Sequence, residues 1–98
     1  MRPQIREALL LDVQKRMSRL VDRGYEVYIK PSASEKTALF FRKVGTVEAG
    51  LILEARNGPS VIQVFRHPSQ GSVYVFFNSP KARKDAVDVG LEELHGRV

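Results

Sequence analysis

The chain reads as an α+β domain: an N-terminal helix, an antiparallel meander of four to five strands and a C-terminal helix, with both helices laid on one face of the sheet. Three observations predict this. Residues 5–23 carry apolar side chains at helical spacing; residues 25–77 hold short alternating runs separated by Gly, Pro, Asn and Ser; and Ser79-Pro80 opens a second helix directly after the last run. The 98 residues leave room for one core, and the whole chain, 1–98, is expected to be a single domain.

Taken in order, Ile5 to Arg23 is the longest helical pattern. At about 100° per residue, Leu9, Leu10, Val13, Met17, Leu20 and Val21 fall in one arc, the stripe of a helix lying on a core, with Leu11 on the opposite side. Gly24 is expected to end the helix as its C′ residue. Beside the stripe, Lys15, Arg16, Arg19 and Arg23 make a basic ridge. It is either a solvated face with cations near the helix C-terminus, where the dipole favours them, or a phosphate-contacting surface.

Tyr25 to Lys30 alternates as a first strand, and Thr37 to Val44, rich in aromatic and β-branched residues, is a second; the turn 31–36 would make them a hairpin. Thr46 to Arg56 has two readings. As a helix it has Thr46 as N-cap and Asn57-Gly58 as its stop; as a strand it puts Val47, Ala49, Leu51, Leu53 and Ala55 on one face. The strand is favoured, because Asn57-Gly58 is also a hairpin signal and Val61 to Arg66 follows at pairing distance. Residues 67–71 turn the chain into Val73 to Phe77. Several strands carry large apolar residues on both faces. With Val27, Ile29, Leu39, Phe41, Leu51 and Leu53 inward, the outward set holds Tyr28, Phe40, Ile52, Tyr74 and Phe76 among Lys30, Arg42 and Arg66. A second sheet face so apolar calls for a cover.

The helix after Phe77 is loaded against its dipole. Ser79 is a good N-cap and Pro80 suits the first helical position, but Lys81, Arg83 and Lys84 crowd the positive end while Asp85, Asp88, Glu92 and Glu93 lie further along. Each such placement opposes an effect of roughly 0.3 to 1 kcal/mol. Either Lys81 and Lys84 pair with Asp85 and Asp88 one turn on, or the cations converge with free backbone amides on an anion such as phosphate. Residues 81–94, KARKDAVDVGLEEL, resemble the last helix of a double-stranded RNA-binding domain. That resemblance implies Lys81, Arg83 and Lys84 as phosphate-gripping cations, and Ala82, Ala86, Gly90, Leu91 and Leu94 as packing positions on the sheet. It extends no further, since the preceding region has more strands than that family and lacks its loop and its minor-groove helix pattern.

Composition narrows the function classes. Without cysteine there is neither disulfide nor thiolate metal site, and two distant histidines offer no zinc spacing, so no cofactor or metal is expected. His67 in a Pro-containing turn and His95 near the C-terminus read as surface residues, no nucleophile stands beside either, and no glycine-rich phosphate loop occurs; an enzyme is not expected. No apolar run approaches a membrane span, and a cytoplasmic protein is the expectation. Sixteen Lys and Arg against 11 Asp and Glu give a net charge of +5, which favours a polyanionic partner. The sequence thus points first to DNA or RNA, with phosphates on Lys81, Arg83 and Lys84, on the Arg16, Arg19, Arg23 ridge, and on Lys30, Arg42 and Arg66, and bases stacking on Tyr28, Phe40, Tyr74 or Phe76. The alternative is a homodimer or protein-interaction module, of a regulatory or phage-encoded kind, that buries the same aromatic face.

Overall fold

The computed structural model describes residues 3–29 and 41–98. Helix α1 (Pro3–Ser18) is followed by a 3₁₀ turn (Val21–Arg23), then by strands β1 (Glu26–Ile29), β2 (Phe41–Val44), β3 (Val47–Asn57), β4 (Ser60–Arg66) and β5 (Val73–Phe77). Helix α2 (Pro80–Asp88) and a 3₁₀ turn (Glu92–Leu94) complete the chain. All pairing is antiparallel, and both helices pack on the sheet.

The sheet order is β1-β3-β4-β5, with β2 also on β3. Strands β2 to β5 run as the expected meander, and the stretch with two readings, 46–56, is strand from Val47 on. The first strand departs from the expected hairpin: β1 pairs with residues 53–56 and β2 with residues 47–50 of the same β3 edge, so the two share β3 as their partner. Eleven residues of β3 are long enough to hold two four-residue partners end to end. The turns follow the glycine signals, with Gly45 and Gly58 at positive φ in the loops after β2 and β3.

A register shift in the β3–β4 ladder has the larger consequence. Leu51 faces Phe65 but Leu53 faces Val64, so Ile52 is the extra residue of a bulge. Because side chains alternate with period two, one inserted residue sends the side chains beyond it to the other face. Ala49 and Leu51 therefore pack with Phe65 on the face away from the helices, whereas Leu53 and Ala55 join the helix-side core. The unbroken face expected for Val47 to Ala55 is divided, and Ile52, expected outward, packs against the helix-side core.

That core joins Val13, Met17 and Leu20 of the N-terminal helical segment, Leu53, Ala55, Ile62, Val64, Val73 and Val75 of the sheet, and Ala82, Ala86, Val89, Leu91 and Leu94 of the C-terminal part. The α1 stripe holds through Leu20, and Leu11 is exposed as its phase requires. Val21 is instead solvent-facing, because the helix tightens into the 3₁₀ turn after Ser18 and the phase changes. Both helical segments close in the same way. At Gly24 (φ 88°) and Gly90 (φ 83°) the chain turns left-handed, and the following amide reaches back across the turn, Tyr25 N to Leu20 O at 3.1 Å and Leu91 N to Ala86 O at 2.9 Å. These are Schellman closures, which a residue with a Cβ adopts only under strain.

Candidate functional site

The start of α2 is built as its sequence requires. Ser79 is extended (φ −156°), its Oγ accepts from Ala82 N at 3.1 Å, and Pro80 stands at the first helical position. Lys81 bonds Asp85 at 3.1 Å, while Arg83 stands 3.8 Å from Glu92 with its side chain largely in solvent. The second expected pair, Lys84 with Asp88, does not form, and Lys84 has no ion-pair partner among the described residues. Asp88 is engaged elsewhere, by Arg23 at 3.0 Å.

The acids of α2 are held by α1 and the turn after it. Arg16, only 17% exposed, bonds Asp12 at 3.0 Å, the Gly90 carbonyl at 2.6 Å and the carboxylate of Glu93. Arg19 donates to the Val89 carbonyl at 3.3 Å, and Arg23 reaches both Asp85 and Asp88. Arg16 and Arg19 thus sit on the carbonyls that close α2, where its dipole is negative and its own last turn has no cation, and Arg23 sits on its carboxylates. The ridge has become a clamp between two helical segments, an arrangement in neither sequence reading. Hydrogen bonds to charged groups contribute about 1.5 to 3 kcal/mol when partly desolvated, which outweighs the dipole penalty of roughly 0.3 to 1 kcal/mol per misplaced charge.

Asp85 is the hub of this clamp. It is 7% exposed and accepts from Tyr25 Oη at 2.6 Å, Arg23 at 3.2 Å and Lys81. The Tyr25 hydrogen bond, together with Lys81 and Arg23, holds its carboxyl below the usual range against the opposing cost of burial. Burial first, and Asp85 second, push the Tyr25 phenol up to about 12. With three donors on its two oxygens this carboxylate is structural.

On the far face, Ala49, Leu51 and Phe65 are buried within the single chain, flanked by Val44, Tyr74 and Phe76. Phe76 meets Phe65 edge-on at 5.7 Å, and the Arg42 guanidinium lies 3.7 Å over the Phe76 ring centroid. His95 joins them, edge-on to both Tyr74 and Phe76 at 5.7 Å, with its Nδ1 accepting from Val75 N at 2.9 Å. It is carried there by the C-terminal segment, which lies along the free edge of β5 through Val73 N to Arg97 O at 3.0 Å and Gly96 N to Val73 O at 2.7 Å. A cleft of about 250 Å³ opens between Arg42, Val61, Gln63, Phe76, Phe77 and Asn78. Asn78, which bonds Val61 N and the Pro59 carbonyl, leads straight into the Ser79 cap of α2.

The residues expected at the site are thus sorted. Arg42, Tyr74 and Phe76 are brought together. Tyr28 shares their face by register, but its hydroxyl is held by Glu26, and Glu54 is bonded by Arg56 and Gln63 in the same region. Arg66 is not on that face: it pairs with Gly50 and Val73 in register and lies on the helix side. Phe40 and Lys30 lie outside the described residues. Gln63, Asn78 and His95 were not among the residues expected there. Asn78 beside a helix cap could have been suspected, whereas nothing local marks His95, which reaches the aromatic face only through the fold of the C-terminal segment. No group of acidic or histidine side chains among the described residues could hold a metal ion. No described helix is long and apolar enough to cross a membrane. Compared with protein-family models, curated proteins and solved structures, the chain matches none, so the likeness of residues 81–94 to a double-stranded RNA-binding helix stays a local one.

Proposed function

We propose that this chain is a small, non-catalytic nucleic-acid-binding protein, in which Lys81, Arg83 and Lys84 contact phosphates and the Arg42–Phe76 stack, with Tyr74, meets unpaired bases. One observation carries the reading. A single continuous stretch, 76–84, holds an aromatic ring already stacked by a guanidinium, the polar rim of a cleft, a capped helix start and the cations without a full share of acids. Free amides, dipole and cations at a helix N-terminus suit phosphate, and an aromatic with arginine suits a base. Most acids near the clamp are neutralised within the chain, so the surplus of +5 resides largely in exposed cations. Arg16, Arg19 and Arg23 are left out of the proposal, since α2 already engages them.

The experiment is fluorescence anisotropy with labelled single-stranded DNA, single-stranded RNA and duplexes across a salt series. Log affinity should fall linearly with log salt. Changing Lys81, Arg83 and Lys84 to Gln should reduce that slope by up to about three, one for each phosphate no longer neutralised, regardless of base sequence. If the wild type binds none of these at low salt and runs as a dimer by light scattering with Tyr28 and Tyr74 protected, the interaction-module reading replaces this one.

A further inference from the structure

A second concave site lies on the opposite side of the sheet. Gly50, central in β3, faces Phe41 across one edge and Arg66 across the other, and a Cβ there would meet only the edge of the Phe41 ring, at 4.0 Å. Gly50 lies in the floor of a cavity of about 450 Å³ lined also by Phe41, Glu48, Ile52, Arg66 and His67, within the size range of small-ligand sites. Its walls differ in chemistry. Phe41 is 49% exposed, so much of its aromatic surface is open. Arg66 has no ion-pair partner among the described residues. His67 is fixed by its own turn, its Nδ1 receiving Ser69 N at 3.1 Å and Gln70 N at 2.9 Å. A neutral imidazole that accepts at Nδ1 carries its proton on Nε2, so the ring presents a donor held in one tautomer. Glu48 adds an acceptor.

The geometry points to this cavity as a nucleotide site: the base stacks on Phe41 over Gly50, Arg66 and His67 Nε2–H take the phosphate, and Glu48 accepts from an amino or hydroxyl group. A planar ring joined to an anion uses every wall, whereas an apolar ligand would strand Arg66 and Glu48, and inorganic phosphate would leave Phe41 unused. The site shares no residue with the stretch 76–84, and it opens on the helix side of the sheet, whereas the cleft beside Arg42 and Phe76 opens on the far face. The nucleotide is either free or an unpaired unit of a strand.

The test is titration of adenosine 5′-monophosphate followed by two-dimensional NMR, with adenosine, inorganic phosphate and a short single-stranded oligoadenylate as further probes. Shifts should centre on Phe41, Gly50, Arg66 and His67, and the mononucleotide should bind more tightly than adenosine or phosphate alone. Phe41→Ala should weaken binding about tenfold or more, as expected for a lost base–aromatic stack. Arg66→Gln should do the same, and Gly50→Val should abolish binding by filling the floor. Binding of the mononucleotide identifies a free nucleotide as a ligand, and binding of the oligoadenylate alone identifies a strand unit. Should neither probe shift these residues, or should Phe41→Ala and Arg66→Gln leave affinity unchanged, the assignment is wrong, whatever Lys81, Arg83 and Lys84 do. Both of those residues are surface-facing, so these variants decide the matter even if Gly50→Val fails to fold.

Discussion

Two basic clusters that look alike in the sequence end in opposite situations. Arg16, Arg19 and Arg23 recur at helical spacing, and so nearly do Lys81, Arg83 and Lys84, yet the first set is drawn into acids and carbonyls of α2 and the second largely faces water. Placement by the dipole alone would have the first set contented where it stood and the second strained. The fold reverses the emphasis, because α1 and the turn after it lend their arginines to the C-terminal end of α2, so of α2's own cations only Lys81 is held by an acid of that helix. Charges that a fold consumes are structure, and those it leaves over are available to a partner.

The contrast is most sharply broken at Asp85. Asp85→Ala removes the acceptor shared by Tyr25, Arg23 and Lys81, and should cost about 1 to 3 kcal/mol in denaturant melts, since the buried Tyr25 hydroxyl is left unpaired while Arg23 and Lys81 turn to water. A loss below about 1 kcal/mol would show that the clamp does not hold the helices together.

The pH profile tests the same hub. Tyr25 is shifted upward from 10.0 to about 12, so the folded state holds a proton that the unfolded chain releases first. Its contribution is complete below pH 10, is lost as pH rises from 10 to about 12, and amounts to about 2 to 3 kcal/mol. Asp85 is shifted downward from 3.8, so its contribution is present above that value and fades as pH falls through the lower folded-state value. Tyr25→Phe should flatten the alkaline limb of a stability–pH curve and also shrink the acid limb, since the Tyr25 hydroxyl is the largest cause of the lowered Asp85 carboxyl.

Smaller effects separate the two clusters directly. Arg16→Ala should cost about 2 kcal/mol, through the loss of its bonds to Gly90 O and two carboxylates. Lys84→Ala, with no ion-pair partner among the described residues to lose, should stay within about 0.5 kcal/mol while weakening polyanion binding. Equal costs for the two, measured side by side, would erase the distinction.

The far face teaches a related lesson. Large apolar residues on both sides of the strands were legible, and they called for a cover. Part of that cover is internal, since Ala49, Leu51 and Phe65 are buried by their own chain and the C-terminal segment brings His95 against Tyr74 and Phe76.

What the sequence determined by itself is what neighbours within a few residues decide. Periodicity marked α1 and the strands, the Ser79-Pro80 pair marked the start of α2, and Gly24 marked a left-handed closure, because caps and turns are satisfied by adjacent backbone groups. The charge balance was likewise fixed by counting. Tertiary structure decided the rest. The bulge at Ile52 that sends Leu51 and Leu53 to opposite faces, the choice of β3 as partner for β1, the separation of Arg66 from Arg42, and the arginine clamp on α2 all join residues far apart in the chain. No local pattern encodes such contacts: a guanidinium has the same helical spacing whether it meets water, a phosphate or a carbonyl more than seventy residues away, and only the folded packing selects among them.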